Sequence, residues 1–446
     1  MRYESYKPSG VAWLGEIPEH WDSKYLGACF SERREKVSDK IFKALSVTKK
    51  GIVPQLETAA KSNAGDNRKK VLKGDFVING RSDRKGSSGI SYLDGSVSLI
   101  NIVLKPKELF LSKYTHYLLR SVPFQEEYYR NGKGIVADLW STNISEMRKI
   151  LLPIPPLEEQ ETIIRYLNFY EHKINKAIAT KKKLIATLSE QKQAIIAHAV
   201  TKGVDLHVKM KESGIPWLGE IPEHWEVKRG KALFKKINRP VLKDYDVVTC
   251  FRDGEVTLRK NRRTTGFTEA LKEIGYQGVN KGDLVIHAMD AFAGAVGVSD
   301  SDGKCSPVYA ICLPIASVVP KYYALIIREM ARIQWILALS KGIRERSTDF
   351  RFDMFGAQFL PVPPCEEQKA IVEFIEQETA TIDKAIKLSK KEIELLEEYK
   401  TRLIADVVTG AVDVREEAQN LPEIEEDSTA FESDVFEAQE EEISDE

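Results

Sequence analysis

The chain has 446 residues, 42% of them apolar, which suits about two to four folded units and excludes a chain disordered throughout. No apolar run approaches the roughly 18 residues that span a bilayer, and Met1–Tyr6 lacks the apolar core of a secretion signal, so the expectation is a soluble cytoplasmic protein. The net charge of −1 hides a division. Fourteen of the 67 acidic residues fall in 416–446 with no Lys or Arg, which leaves 66 basic against 53 acidic groups, a net +13, in 1–415.

A basic body suits a polyanionic partner. The acidic strip 416–446 reads as a disordered tail, either a solubilising appendage or an electrostatic competitor for the same partner. Cys29, Cys250, Cys305, Cys312 and Cys365 are scattered and odd in number, which predicts free buried thiols and no metal or disulfide framework.

From the N-terminus, Ser9–Phe30 and Ser213–Phe234 are identical at fourteen of 22 positions, including the unbroken run W-L-G-E-I-P-E-H-W at Trp13–Trp21 and Trp217–Trp225. His20 and His224 sit inside it. Beside Trp in a Pro turn, and without the second His of an H-E-x-x-H helix, they read as packed corners and not as ligands. Beyond Phe234 the register moves from 204 to 208. Lys73-Gly74-Asp75 then matches Lys281-Gly282-Asp283, and Lys133-Gly134-Ile135 matches Lys341-Gly342-Ile343. The chain is one module used twice.

Each module opens with a body of about 150 residues. Short β-type runs such as Phe76–Ile78 and Leu284–Ile286 alternate with Gly turns, and amphipathic helices are expected over 113–130 and 320–340. The expectation is α+β. Basic residues cluster in segments read as loops: Arg68, Lys69, Lys70, Arg81, Arg84, Lys85 and Lys133 in the first body, and Arg252, Arg259, Lys260, Arg262, Arg263, Lys341, Arg344, Arg346 and Arg351 in the second. Such clusters supply guanine readers and phosphate clamps, and equally solvated surface charge.

Leu152–Gln160 and Leu360–Gln368 share the pattern L-P-x-P-P-x-E-E-Q, after which each copy runs free of Pro and Gly for about 44 residues. Apolar residues recur at steps of three and four: Ile164, Leu167, Ile174, Ile178, Ile185, Leu188, Ile195 and Ala199, then Val372, Ile375, Ile382, Ile386, Ile393, Leu396, Leu403 and Val407. Two long helices, each roughly 65 Å at 1.5 Å per residue, are expected to bury these seams on one another as an antiparallel coiled coil with one body at each end. The expected division is 1–155, 156–205, 206–363, 364–415 and the tail 416–446. No phosphate-binding G-x-x-x-x-G-K-[ST] and no Asn/Asp-Pro-Pro-aromatic tetrad occurs, so recognition is expected, with no catalysis.

Two bodies, each opened by W-L-G-x-I-P-x-H-W and followed by L-P-x-P-P-x-E-E-Q and a long helix, resemble the specificity subunit of Type I restriction–modification systems over about residues 5–415. That resemblance implies two target-recognition domains in a pseudo-two-fold repeat, each reading half of a bipartite, asymmetric double-stranded DNA site. It implies helices that set the gap and dock two modification subunits, with two restriction subunits completing the nuclease. S-adenosylmethionine, ATP and Mg²⁺ would then belong to the partners, and none to this chain. Half-sites on one face of DNA lie about 34–36 Å apart or multiples of this, within reach of such helices. A stand-alone DNA-binding regulator and a coiled-coil protein adapter are the other readings open on the residues alone.

Overall fold

The computed structural model describes residues 2–56, 65–81, 85–132, 141–262, 273–339 and 349–422. These form two compact units, one of residues 1–181 with 391–446 and the other of residues 182–390. Each unit therefore takes the first half of one long helix and the last half of the other, a division that crosses the expected helix segments instead of following them.

In the first unit, a four-stranded antiparallel sheet runs in the order Ser88–Ile90, Phe76–Asn79, Asn101–Pro106, Phe30–Glu32. Successive side chains of a strand point to opposite faces. Phe76, Ile78, Ile90, Ile102 and Leu104 accordingly face one core with Tyr114, Leu118 and Phe124, while Val77 and Val103 face a smaller one with Leu45, Ile52, Val71 and Val97. The second unit repeats the sheet order with Val296–Val298, Leu284–His287, Tyr309–Pro314 and Phe234–Ile237. Leu284 and Ile286 face the helical side, and Val285 and Ile311 face Val248, Val279 and Cys305.

The helix expected over 113–130 is two helices, Ser112–Arg120 and Val122–Arg130, broken at Ser121 (φ −60°, ψ 145°). Pro123 carries no amide hydrogen, so a helix can start on it but cannot run through it. The segment over 320–340 likewise divides into Pro320–Arg332 and Trp335–Leu339, with Gln334 between them at φ 60°.

The long helices are Leu157–Lys202 and Cys365–Val408. Their partners within each unit run in opposite directions. In the first unit Lys181 meets Glu392 at 2.6 Å and Lys400 donates to Asn175 at 3.1 Å; in the second, Lys192 meets Asp383 at 2.5 Å. Every apolar seam position is buried or half-buried, with Leu167, Ile174, Ile178, Val372, Ile375 and Ile382 fully so, whereas Leu388 and Leu395, off the seam, are exposed.

The segment from 416 is not wholly a solvated tail. After Gly410 the chain turns, forms a short helix over Arg415–Gln419, and lays Val412, Val414, Ala418 and Leu421 on the first core. Val414, Ala418 and Leu421 recur at steps of four and three, an apolar stripe that the count of carboxylates conceals. Residues 423–446 lie outside the described residues.

Candidate nucleic-acid interface

The shared sequence blocks build the frame of each body. Gln160, fully buried, donates to the carbonyls of Leu109 and Pro155 and accepts from Leu111 N, which ties the helix start to the strand–helix loop. Gln368 does the same with Pro363 and Val319. Glu159 Oε2 lies 2.7 Å from His20 Nε2, and Glu367 Oε2 lies 2.7 Å from His224 Nε2. The two histidines are thus tied into the frame by these carboxylates, although their rings remain 41% and 45% exposed, so the packed corner expected from their Pro–Trp setting is a bonded one and not a buried one. The free oxygen of each carboxylate differs in partner: Glu159 Oε1 accepts from Tyr3 Oη at 2.7 Å, and Glu367 Oε1 from Trp225 Nε1 at 3.0 Å. Burial and the neighbouring Glu159 push the Tyr3 phenol far above its ordinary pKa, so it stays a donor.

The Lys-Gly-Asp turns are a second shared device. Asp75, buried, accepts Arg33 on both oxygens at 2.7 and 3.0 Å and Leu72 N at 2.8 Å. Asp283 accepts both guanidinium nitrogens of Arg239 and Asn280 N at 2.8 Å. The bond to the carboxylate holds the Arg33 and Arg239 pKa above its ordinary value, against the opposing effect of burial. Sequence reasoning missed both arginines. Their signal was a basic residue 42 or 44 positions before the shared Asp, which only the fold makes meaningful.

The expected DNA-contacting residues fall into three groups. Arg68, Lys69 and Lys70 are on the strand Arg68–Val71, not in a loop. Arg68 is buried, donating to Ser96 Oγ at 2.9 Å and Ser96 O at 3.1 Å, and burial lowers its pKa. Lys69 donates to Asn101 O at 2.8 Å, and Lys70 to Glu35 at 2.9 Å. Alternation sends Lys69 to the face opposite Arg68 and Lys70; Arg68, buried against Ser96, is a structural cation.

The second group is exposed. Arg252 pairs with Asp290 at 3.0 Å, Lys260 with Asp246 at 2.5 Å, Arg351 with Asp349 at 2.8 Å, and Lys85 with Glu126. Arg262 is shared between Asp253 and Glu255 and lies 4.3 Å over the Phe251 ring. Arg259 donates to Thr249 Oγ1 at 3.3 Å, and Arg81 is exposed at the end of the Phe76–Asn79 strand. Exposed pairs of this kind are weak in water, so a phosphate can replace the carboxylate at small cost. The turn 251–256 carries Arg252 and holds Arg262 through Asp253 and Glu255, and its Gly254 (φ +88°) leaves room for Arg328; a Cβ there would lie 2.5 Å from the Arg328 guanidinium. Arg328 was not foreseen. The third group, Arg84, Lys133, Arg263, Lys341, Arg344 and Arg346, lies outside the described residues.

Comparison with known proteins points to one class. Residues 26–187 match the Type I restriction modification DNA specificity domain. The chain is 24% identical over 448 residues to the putative type I restriction enzyme MjaX specificity subunit of Methanocaldococcus jannaschii, covering 90% of this chain and 96% of that one. It is 25% identical over 317 residues to the MjaVIII specificity subunit of the same organism, covering 67% and 70%. A solved chain of a type I restriction–modification system shares the fold with a TM-score of 0.64 at 16% identity, covering 89% of this chain and 99% of that one. The likeness is thus to type I restriction–modification specificity subunits over most of the chain, and to their DNA specificity domain over residues 26–187. Among the described residues, no helix is long and apolar enough to cross a membrane.

Proposed function

We propose that the chain reads a split, asymmetric DNA site, one half with each body, and performs no chemistry itself. One observation carries the reading: the two bodies share scaffold bonds at Gln160 and Gln368, Glu159 and Glu367, Asp75 and Asp283, while their exposed cations differ. Like scaffolds with unlike surfaces suit one task performed on two targets. In this reading the bodies are target-recognition domains in a pseudo-two-fold repeat, and the paired long helices form an antiparallel spacer that fixes the gap between half-sites.

The exposed faces of those helices then dock two modification subunits, and two restriction subunits complete the nuclease. S-adenosylmethionine, ATP and Mg²⁺ belong to those partners, and the assembly works in the cytoplasm. The test is to co-express the chain with a modification subunit and map methylated adenines across a genome. A bipartite motif with a fixed gap is expected; a contiguous motif, or none, would overturn the proposal.

A further inference from the structure

The two bodies diverge in sequence where the second sheet strand of each ends, yet their backbones are pinned there in the same way. Asn79 N donates to Ser87 O at 3.0 Å, and His287 N to Ala295 O at 3.0 Å. The next carbonyl is held from the other side: Thr142 N donates to Gly80 O at 2.9 Å, and Phe350 N to Ala288 O at 3.0 Å. These pairs keep one constant offset between the copies, although none of the four equivalent positions carries the same residue in both.

The clamp is tight. Thr142 and Phe350 are both buried. Thr142 also exchanges bonds with Tyr128, through Tyr128 Oη to Thr142 O at 3.3 Å and Thr142 Oγ1 to Tyr128 O at 3.0 Å. A Cβ on Gly80 would lie 3.2 Å from the carbonyls of both Ile100 and Thr142. In the second unit the corresponding Ala288 N donates to Val308 O at 3.2 Å.

The residue that follows each clamped carbonyl is exposed: Arg81 in one body and Met289, 49% exposed, in the other. Arg81 is aligned further by an antiparallel bridge to Ser141 and by its own amide, which donates to Asn79 Oδ1 at 3.0 Å. Beside Met289, Asp290 N is bonded to His287 Nδ1 at 3.0 Å and its carboxylate holds Arg252.

We propose that Arg81 and Met289 occupy one specificity-determining position, each reading a base edge in its own half-site. This rests on the split-site reading above. A base reader needs a backbone fixed to a fraction of an ångström and a residue exposed at the surface, and this position joins the two. The chemistry at the tip then differs as two targets require. The Arg81 guanidinium matches the paired N7 and O6 acceptors of guanine in the major groove, and the apolar Met289 side chain matches the thymine methyl group.

The test uses the full chain in complex with its modification subunits and compares wild type with Arg81→Met, Arg81→Lys and Met289→Arg by methylation mapping and by DNA affinity against salt. Arg81→Met is expected to change the preferred base at one position of one half-site, with discrimination falling about 10- to 100-fold and the other half intact. Met289→Arg is expected to alter the other half only. Arg81→Lys keeps the charge and loses the fork, so affinity and salt slope should persist while discrimination falls. Loss of affinity on all sequences alike, with a shallower salt slope, would make Arg81 a phosphate clamp and overturn the assignment. An unchanged motif in both swaps would overturn it as well. A wild-type complex with no split motif would instead refute the split-site reading, and this assignment with it.

Discussion

His20 and Glu159 lie 139 residues apart in sequence and 2.7 Å apart in space, and the contact closes each body against the start of the long helix that follows it. His224 and Glu367 repeat it at the same distance. The two shared motifs thus explain each other: the carboxylate in E-E-Q is the partner of the histidine in P-E-H-W. Neither explains a difference between two recognised sites, because both bodies carry the same pair, each imidazole held by its carboxylate although its ring is partly exposed.

Removing that carboxylate has a calculable effect. Glu159 is buried and also accepts the Tyr3 phenol, so Glu159→Ala leaves a buried donor without a partner. The expected loss is about 2–3 kcal/mol for the first unit, against about 1–2 kcal/mol for Glu367→Ala, whose side chain is more exposed. Chemical denaturation of the two variants checks the order; an equal or reversed order would refute the burial argument.

Much of this was legible beforehand. The heptad steps marked the seam, since Ile174, Ile178, Val372 and Ile375 are core residues, and the repeated blocks marked the duplicated scaffold. The basic clusters were less legible. Arg68 looks like a surface cation in Arg-Lys-Lys, yet strand alternation turns it onto Ser96. Charge runs report composition; the side of a strand that each cation takes depends on register, which the sequence does not mark where both faces of a sheet are covered. The anchored 414–421 stripe was hidden the same way, its three apolar residues Val414, Ala418 and Leu421 lying beside a run of carboxylates.

Arg68 and the exposed cations should therefore part company on DNA. Arg68→Met is expected to destabilise the first unit by about 1–3 kcal/mol, by leaving Ser96 O and Oγ without their donor, and to leave the salt dependence of DNA binding unchanged. Lys260→Ala or Arg351→Ala, both exposed, should leave stability within about 0.5 kcal/mol. If the residue contacts a phosphate, its loss reduces the salt slope by about one. A reduced slope for Arg68→Met would return it to the interface.

Gly410 offers a test of the helix end. Its φ is +81°, and a Cβ there would lie 2.4 Å from Pro18 Cδ and 3.0 Å from Trp21 Cζ3, both in the identical block. Gly282 has φ +91° with nothing within 4 Å of its Cβ position. Gly282→Ala is expected to cost about 1–2 kcal/mol of backbone strain alone. Gly410→Ala should cost more, because proline and indole must also move. Thermal unfolding of both variants separates strain from crowding, and equal losses would mean that the block yields freely.

The thiols give each unit its own reporter. Burial pushes Cys29 up to about 11, Cys305 and Cys312 up to about 12, and Cys250 further still. The thiolate is the reactive form, so a raised pKa lowers reactivity: at pH 8 a thiol of pKa about 11 is ionised in about one molecule per thousand. Cys365, half-buried at the start of the second long helix, is the remaining thiol. Titration of the native chain with an aromatic disulfide reagent at pH 8 should therefore show one fast thiol, then slow ones that appear only as each core opens, and five in denaturant. Of the slow thiols, Cys29 belongs to the first core and Cys250, Cys305 and Cys312 to the second. A reader that binds DNA through both bodies should slow both sets on saturation with its site, since ligand binding raises the cost of opening each core. Protection confined to Cys29, or to the other three, would show that only one body engages the DNA.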